Sequence, residues 1–376
     1  MHRSSTRVAV VGSAQTQLRD AWRDRQHVDL ISMAVTNALK GTGLTMRDVD
    51  FVIDSGSDIL DGRSISNCGF LGAMGAHHKE ESRVEEDGLW SALYGVTKIA
   101  SGAAEVGLII AYSKPSEGDL DAFYATQCEP FYLRPVGFDH LAASGIQAQQ
   151  YLARSEADEA LLAKIVERSW ARAAQNPGVQ VDEVPGVDDV LASEVVAAPL
   201  RRLQISRPVD GAVAIVLASR AVAEKIASDP VWITGMGAAM DEHAVPSREL
   251  ASLPACEAAA RSAYGRAGID DPLTCSLVET SAGTAVGELM VLEALGLAEA
   301  GRAGALYDDG APIAVNPSGG SLPADPVMAT GLVRLSDAAL QLTGRADFGP
   351  DGATSAIVHG TGGVGMQSHC VFTLEV

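Results

Sequence analysis

The sequence predicts an α/β protein made of two similar halves, and three observations carry that expectation. Short Val-rich runs alternate with helical stretches, as where Arg7–Gly12 is followed by a helix over about Val28 to Lys40. A helix–glycine–strand cassette occurs twice: Thr42-Gly43-Leu44 matches Ala267-Gly268-Ile269, and Phe51-Val52-Ile53 matches Ser276-Leu277-Val278, both at an offset of 225 residues. The chain of 376 residues favours two domains, and its thirty-eight glycines supply the tight turns that loop-built sites require.

The first half begins with the strand Arg7–Gly12, the helix near 28–40, a turn at Gly41–Gly43 and the strand Asp50–Asp54. Gly88–Ala100 reads as a helix closed by Ser101-Gly102, and Val106–Ala111 as a buried strand. Residues 115 to about 200 break the rhythm. They carry Phe123, Tyr124, Phe131, Tyr132 and Phe138 and one long helical stretch near Leu161–Ala174, as an inserted ligand-binding region would. Asp210-Gly211 then turns into the strand Ala212–Leu217, and Ser228-Asp229-Pro230 marks the boundary between halves, 1–228 and 229–376. The second half repeats the pattern with helix Ala255–Arg266 and strand Cys275–Glu279, and a helix is expected after Pro326. A hairpin of Ser355–His359 and Cys370–Leu374, joined by glycine-rich Gly360–Gly365, closes the chain.

A net charge of -20 argues against a nucleic-acid partner, which needs clustered Lys and Arg, and disfavours an anionic membrane surface. Five cysteines with no CxxC pair argue against disulfides and a structural zinc site. No export signal or membrane-length apolar run is evident, so a cytoplasmic location is expected.

Val315-Asn316-Pro317-Ser318-Gly319-Gly320, followed by Ala329-Thr330-Gly331, is the most informative stretch. Adjacent glycines beside a helix N-terminus bring backbone N–H groups close to a ligand oxygen, which makes Gly319 and Gly320 ligand-binding candidates, with Gly362 and Gly363 in the later loop. Together with Ser206-Arg207-Pro208-Val209-Asp210-Gly211-Ala212, Glu288-Leu289, Glu293–Leu297 and His359-Gly360-Thr361-Gly362-Gly363, the chain resembles the thiolase superfamily, specifically the sterol carrier protein-type thiolases. These motifs stand in family order over nearly the whole chain. The resemblance implies the thiolase fold: two duplicated α/β halves packed as a five-layer αβαβα sandwich with an inserted loop domain.

The departures from that family concern its chemistry. Its nucleophilic cysteine lies three residues before the glycine that opens a helix. Counting back without gaps from Ser101-Gly102 puts Gly88 at that glycine and Glu85 at the cysteine, whereas anchoring on Arg83-Val84-Glu85 puts Gly88 at the cysteine itself. Neither choice offers a thiol. The family's HDCF motif becomes Ser281-Ala282-Gly283-Thr284, its GHP histidine gives way to Asp325 before Pro326, and only His359 remains. Glu85 is then a candidate general base, or a charge favoured at a helix N-terminus. His359 suits an oxyanion donor or proton carrier, or a loop-stabilising role. Asp325 suits a base or a helix cap, and Ser281 a donor to a thioester oxygen. Tyr264 and Tyr307 are tyrosine candidates for proton transfer, a role that the resemblance suggests.

Without an acyl-accepting thiolate, two-step thiolysis lacks its covalent intermediate. Stabilising a thioester enolate remains possible, and retro-aldol cleavage needs only that and a base. The resemblance implies carbon–carbon cleavage of a β-hydroxyacyl-CoA, with a steroid side chain as one class of acyl group and a zinc-ribbon/OB-fold protein as partner. It also implies a homodimer or heterodimer of thiolase-like chains. Acyl-CoA is then the substrate, and no cofactor or metal is expected. An inactive subunit that stabilises an active partner, and an acyltransferase working from a non-cysteine site, are the alternatives. The inactive-subunit alternative predicts that Glu85, His359 and Asp325 do not share one pocket.

Overall fold

A computed structural model describes residues 7–376. The first six residues, counted above in the N-terminal half, lie outside the described residues. That half contributes β1 (Val8–Gln15), α1 (His27–Leu39), β2 (Phe51–Ser55), a short α2 (Leu71–Met74), β3 (Glu80–Val84), α3 (Gly88–Ala100) and β4 (Val106–Ser113). An excursion follows, with α4 (Leu120–Gln127), α5 (His140–Leu152), α6 (Glu159–Ala173), α7 (Val187–Ala192) and the ribbon of β5 (Val195–Ala197) and β6 (Leu200–Arg201). The chain then returns through β7 (Gly211–Ser219) and α8 (Arg220–Ile226). After these come β8 (Val231–Met240), α9 (Pro254–Ala267), β9 (Leu277–Glu279), α10 (Ala285–Ala294), β10 (Ala314–Val315), α11 (Thr330–Leu342), β11 (Ser355–Gly362) and β12 (Ser368–Glu375).

Ten strands line up as β10-β9-β11-β12-β8-β1-β7-β4-β2-β3. Cut between β8 and β1, this is one five-strand pattern used twice. In each half a parallel trio (β3-β2-β4 or β10-β9-β11) is completed by two antiparallel strands, and β1 pairs with β8 to join them. The 225-residue offset holds in three dimensions. Asp54 sits beside Ile110 of β4, and Glu279, 225 residues later, sits beside Val358 of β11.

Strand alternation sorts side chains into three apolar layers. On β4 and β7, Leu108, Ile110, Ala214 and Val216 face α1, while Ile109, Ala111, Ile215 and Leu217 face the opposite way. That inner side meets α3 and α11, which also cover Ala356, Val358 and Phe372 of the second half. Val278, Ile357 and Val371 face outward onto α9 and α10. The molecule is therefore the five-layer αβαβα sandwich, with α3 and α11 as its central layer. Nearly every residue of α11 is buried, so its polar groups need internal partners. Arg334 donates to Ser318 Oγ at 2.8 Å and lies 3.1 Å from Asp337, and Glu279 accepts from Ser318 Oγ at 2.6 Å and from Gln341 at 2.8 Å.

Several boundaries differ from expectation. The excursion holds four helices where one was expected. Asp119, Asp139 and Asp158 each cap a helix by accepting from a backbone N–H three residues on, which starts α4, α5 and α6. The helix after Pro326 starts only at Thr330, because Met328 adopts a left-handed φ of 73°. Strand β9 begins at Leu277, since Pro272–Thr274 forms a 3-10 turn first. No described helix is long and apolar enough to cross a membrane.

Candidate active site

A cavity of about 620 Å3 opens where the two halves meet the excursion. Helices α3, α5, α10 and α11 all begin at its wall, through Asp87, His140, Thr284 and Thr330. Four helix N-termini place partial positive charge around one volume, a setting suited to an oxygen that gains negative charge. Leu120, Phe123 and Val327 give it an apolar side.

The acidic run before α3 divides into three environments. Glu85 is exposed at the cavity wall and accepts from Asp58 N–H at 3.1 Å. Glu86 is half-buried and accepts from the Ser368 hydroxyl, and burial raises its carboxyl above the ordinary range. A Cβ at Gly362 would stand 2.5 Å from Glu86 Oε1, so glycine there is what admits this carboxylate. Asp87 accepts from Leu89 N–H at 3.0 Å and from Gly331 N–H at 2.8 Å, capping both central helices. Burial pushes its carboxyl up to about 7, against those two donors.

Asp325 lines the cavity and accepts from Ser206 Oγ at 2.7 Å and Thr330 Oγ1 at 2.5 Å. Burial raises its pKa, and the two hydroxyls partly oppose the rise. Ser281 and Gly283 line the same space. Ser281 is fixed by its N–H donating 3.1 Å to the His359 carbonyl. With Glu85 at the cysteine position, all three motifs that lost family residues face one cavity; the other choice, Gly88, packs against Leu332 and Ala111. Gly362 and Gly363 also line it, Gly363 with φ 73°.

Five expected site residues lie elsewhere. His359 is fully buried on the outer side of β11, where its Nε2 lies 2.9 Å from His369 Nδ1. Its side chain does not reach the cavity, and its link to the site is the backbone bond to Ser281. Tyr264 donates to the Leu295 carbonyl at 2.8 Å within the α9–α10 layer. Gly319 packs against Ala173 and Gly320 against Asn316, so the 316–320 loop is a core joint rather than a ligand cradle. Tyr307, the other tyrosine candidate, donates to buried Glu288. Of the three residues whose separation the inactive-subunit alternative predicts, Glu85 and Asp325 share the cavity and His359 does not.

Other lining groups were not singled out from sequence. Tyr124 on α4 stacks on His140 with ring centroids 3.7 Å apart and planes 22° from parallel. The His140 Nδ1 is buried without a hydrogen-bond partner among the described residues. Burial lowers the pKa of His140, with Asp139 and Asp121 opposing. Arg202 and His243 stand exposed at the rim. None of the five cysteines lines the cavity: Cys68 is exposed and the other four are buried in the packed interior. Cys256, His359 and His369 form the one metal-capable group among the described residues, with ligand atoms within 4.8 Å of one another. It lies in the outer core behind the site, and its two histidines are already hydrogen-bonded to each other.

A family model described as thiolase C-terminal domain-like matches residues 237–375. An acetyl-CoA acetyltransferase of Methanothermobacter thermautotrophicus is 26% identical over 95% of this chain and 97% of its own length. Human sterol carrier protein 2 is 27% identical over 70% of this chain, which spans about half (52%) of that protein. Among solved structures, one described as an Ltp2–ChsH2(DUF35) aldolase superposes with a TM-score of 0.83 at 21% identity, covering 98% of each chain.

Proposed function

For a chain that belongs to the thiolase superfamily, with sterol carrier protein-type relatives, we propose carbon–carbon cleavage of a β-hydroxyacyl-CoA by a retro-aldol reaction without a covalent acyl-enzyme. The observation that carries this reading is the composition of the cavity wall: no cysteine, but carboxyl groups and four helix N-termini. A thioester carbonyl placed among those N-termini, with Ser281 beside it, has its enolate oxygen stabilised as the Cα–Cβ bond breaks. Asp325, whose burial favours the protonated carboxyl, then supplies the proton that quenches the enolate carbon. A shorter acyl-CoA and a ketone or aldehyde leave. Arg202 at the rim is placed to meet a phosphate of CoA. The likeness to a structure described as an Ltp2–ChsH2(DUF35) aldolase supports this reading and a partner of the zinc-ribbon/OB-fold kind. A bulky, steroid-like acyl chain suits the apolar side of the cavity. Strand β3 ends the sheet with one edge unpaired among the described residues, and we assign that edge to a dimer interface.

Acyl transfer is the second reading, because relatives similar over most of the chain are acetyl-CoA acetyltransferases. It requires a nucleophile that the cavity wall does not offer as a thiol. The test supplies purified protein, with its partner, with a panel of β-hydroxyacyl-CoAs and, separately, 3-ketoacyl-CoA plus CoA. Release of a shorter acyl-CoA with a carbonyl product from the first set is expected. Turnover of only the second overturns the aldolase reading in favour of acyl transfer.

A further inference from the structure

We propose that His140 is the catalytic base of this cavity, taking the proton from the hydroxyl of the β-hydroxyacyl thioester; the assignment rests on the aldolase reading above. The histidines that the resemblance leads one to expect at 281 and 325 are replaced by Ser281 and Asp325. His140 enters the same space from α5, an element of the excursion that the duplicated halves do not contain.

Four features fit the role. His140 lines the cavity; its Nδ1 is buried, whereas Nε2 makes no hydrogen bond among the described residues and is not sealed off, so Nε2 is the ring nitrogen available to a substrate hydroxyl. Stacking on Tyr124 fixes the plane of the ring, which a proton acceptor needs. As the first residue of α5, His140 sits at a positive helix end, which disfavours the imidazolium and keeps the ring a base. Asp121 on α4 and Asp139 at the cap are the charged groups that oppose this, and burial outweighs them. Tyr124 is neutral beside it, and Asp325 approaches Tyr124 closely enough for its charge to raise the phenol pKa. The cavity therefore holds an imidazole whose pKa is lowered and a carboxyl, Asp325, whose pKa is raised, the opposed directions that acid–base catalysis uses.

The step balances without another reactant. Nε2 accepts the hydroxyl proton, the O–H electron pair becomes the second bond of the departing carbonyl, and the Cα–Cβ pair moves into the thioester enolate. Asp325 then protonates Cα, and the proton on His140 returns to Asp325 through solvent.

The experiment compares wild type, His140→Gln and His140→Phe, the last keeping a ring to stack on Tyr124. Two readouts are taken: cleavage of a β-hydroxyacyl-CoA across pH, and uptake of solvent deuterium at Cα of the product acyl-CoA, which needs the enolate but not the hydroxyl base. Both variants should lose about 10²–10⁴-fold in kcat with KM within about threefold, and retain deuterium uptake. Wild-type kcat/KM should fall on the acid side with a midpoint below 6.5, a limb missing from the residual activity of either variant. Retained deuterium uptake shows that each variant is folded. Cleavage at wild-type rate with the same acid limb in His140→Phe overturns the assignment while leaving the aldolase reading intact. A wild type that neither cleaves nor exchanges overturns both.

Discussion

Glu85, Glu86 and Asp87 are adjacent in sequence, yet only the structure separates an exposed carboxylate, a half-buried one held by Ser368 and a double helix cap. Replacing Asp87 by Ala strips the partner from two backbone N–H groups in the central layer. It should cost roughly 2–4 kcal/mol, read as a lowered urea midpoint with unchanged m-value. Asp325→Asn keeps one acceptor oxygen, sets an NH2 against the second hydroxyl, which can turn to accept from it, and removes the transferable proton. Cleavage should fall about 10²–10³-fold while the thermal midpoint changes little. Asp325, Ser281 and the loss of the thiol were legible as motif substitutions. His140 was not, because a lone histidine among aromatic and polar residues carries no spacing signal. His359 misled for the opposite reason: a histidine before a glycine loop looks like a site residue, but strand alternation turns it to the outer face with Ile357.

At the scale of elements, close backbone contact and buried histidines set what each piece tolerates. Gly237 of β8 lies so near α9 that a Cβ would stand 2.1 Å from the Ala259 carbonyl, and Gly235 is equally close to the Ala263 carbonyl. Gly237→Val should push α9 outward and cost several kcal/mol, on the order of an overpacked core or more, measured by chemical unfolding. In the β11–β12 hairpin, burial lowers the pKa of His359 and brings that of His369 down to about 3. The folded chain therefore leaves both unprotonated below pH 6.5, where the unfolded chain binds protons, so this contribution to stability is complete above 6.5 and lost as pH falls. His369→Phe should be less stable than wild type at pH 7.5. The gap should narrow by about 1.4 kcal/mol per pH unit between pH 6 and 4, as equilibrium unfolding at each pH would show. Helices α1, α3 and α9 and the closing hairpin were readable from periodicity and glycine stops. Helices α4 and α5 were not, because α4 is short and both are built around the cavity rather than a broad apolar face, and their Asp caps were the only local signal.

The whole molecule repeats one five-strand unit, and the 225-residue offset exposed that because turn glycines and strand residues hold their spacing in both copies. The joint between β1 and β8 was not legible, since it spans only Val8–Val10 against Val231–Ile233 and leaves no periodic trace. Nor did sequence show that the 316–320 loop, the strongest motif, serves the core through Glu279 and Arg334 while the excursion supplies much of the cavity wall. The division has a physical basis: duplicated halves give a rigid frame with helix N-termini aimed inward, and an excursion can change the chemistry without disturbing it. The central claim is that this frame breaks a carbon–carbon bond beside a thioester with no thiolate in the site. The most direct test is the rate of carbonyl-product release from a β-hydroxyacyl-CoA by untreated protein and by protein alkylated with iodoacetamide and freed of reagent before its partner is added. The account predicts release at the same rate in both, since exposed Cys68 does not line the cavity and the other cysteines are buried. No release from untreated protein, or release abolished by alkylation, would contradict it.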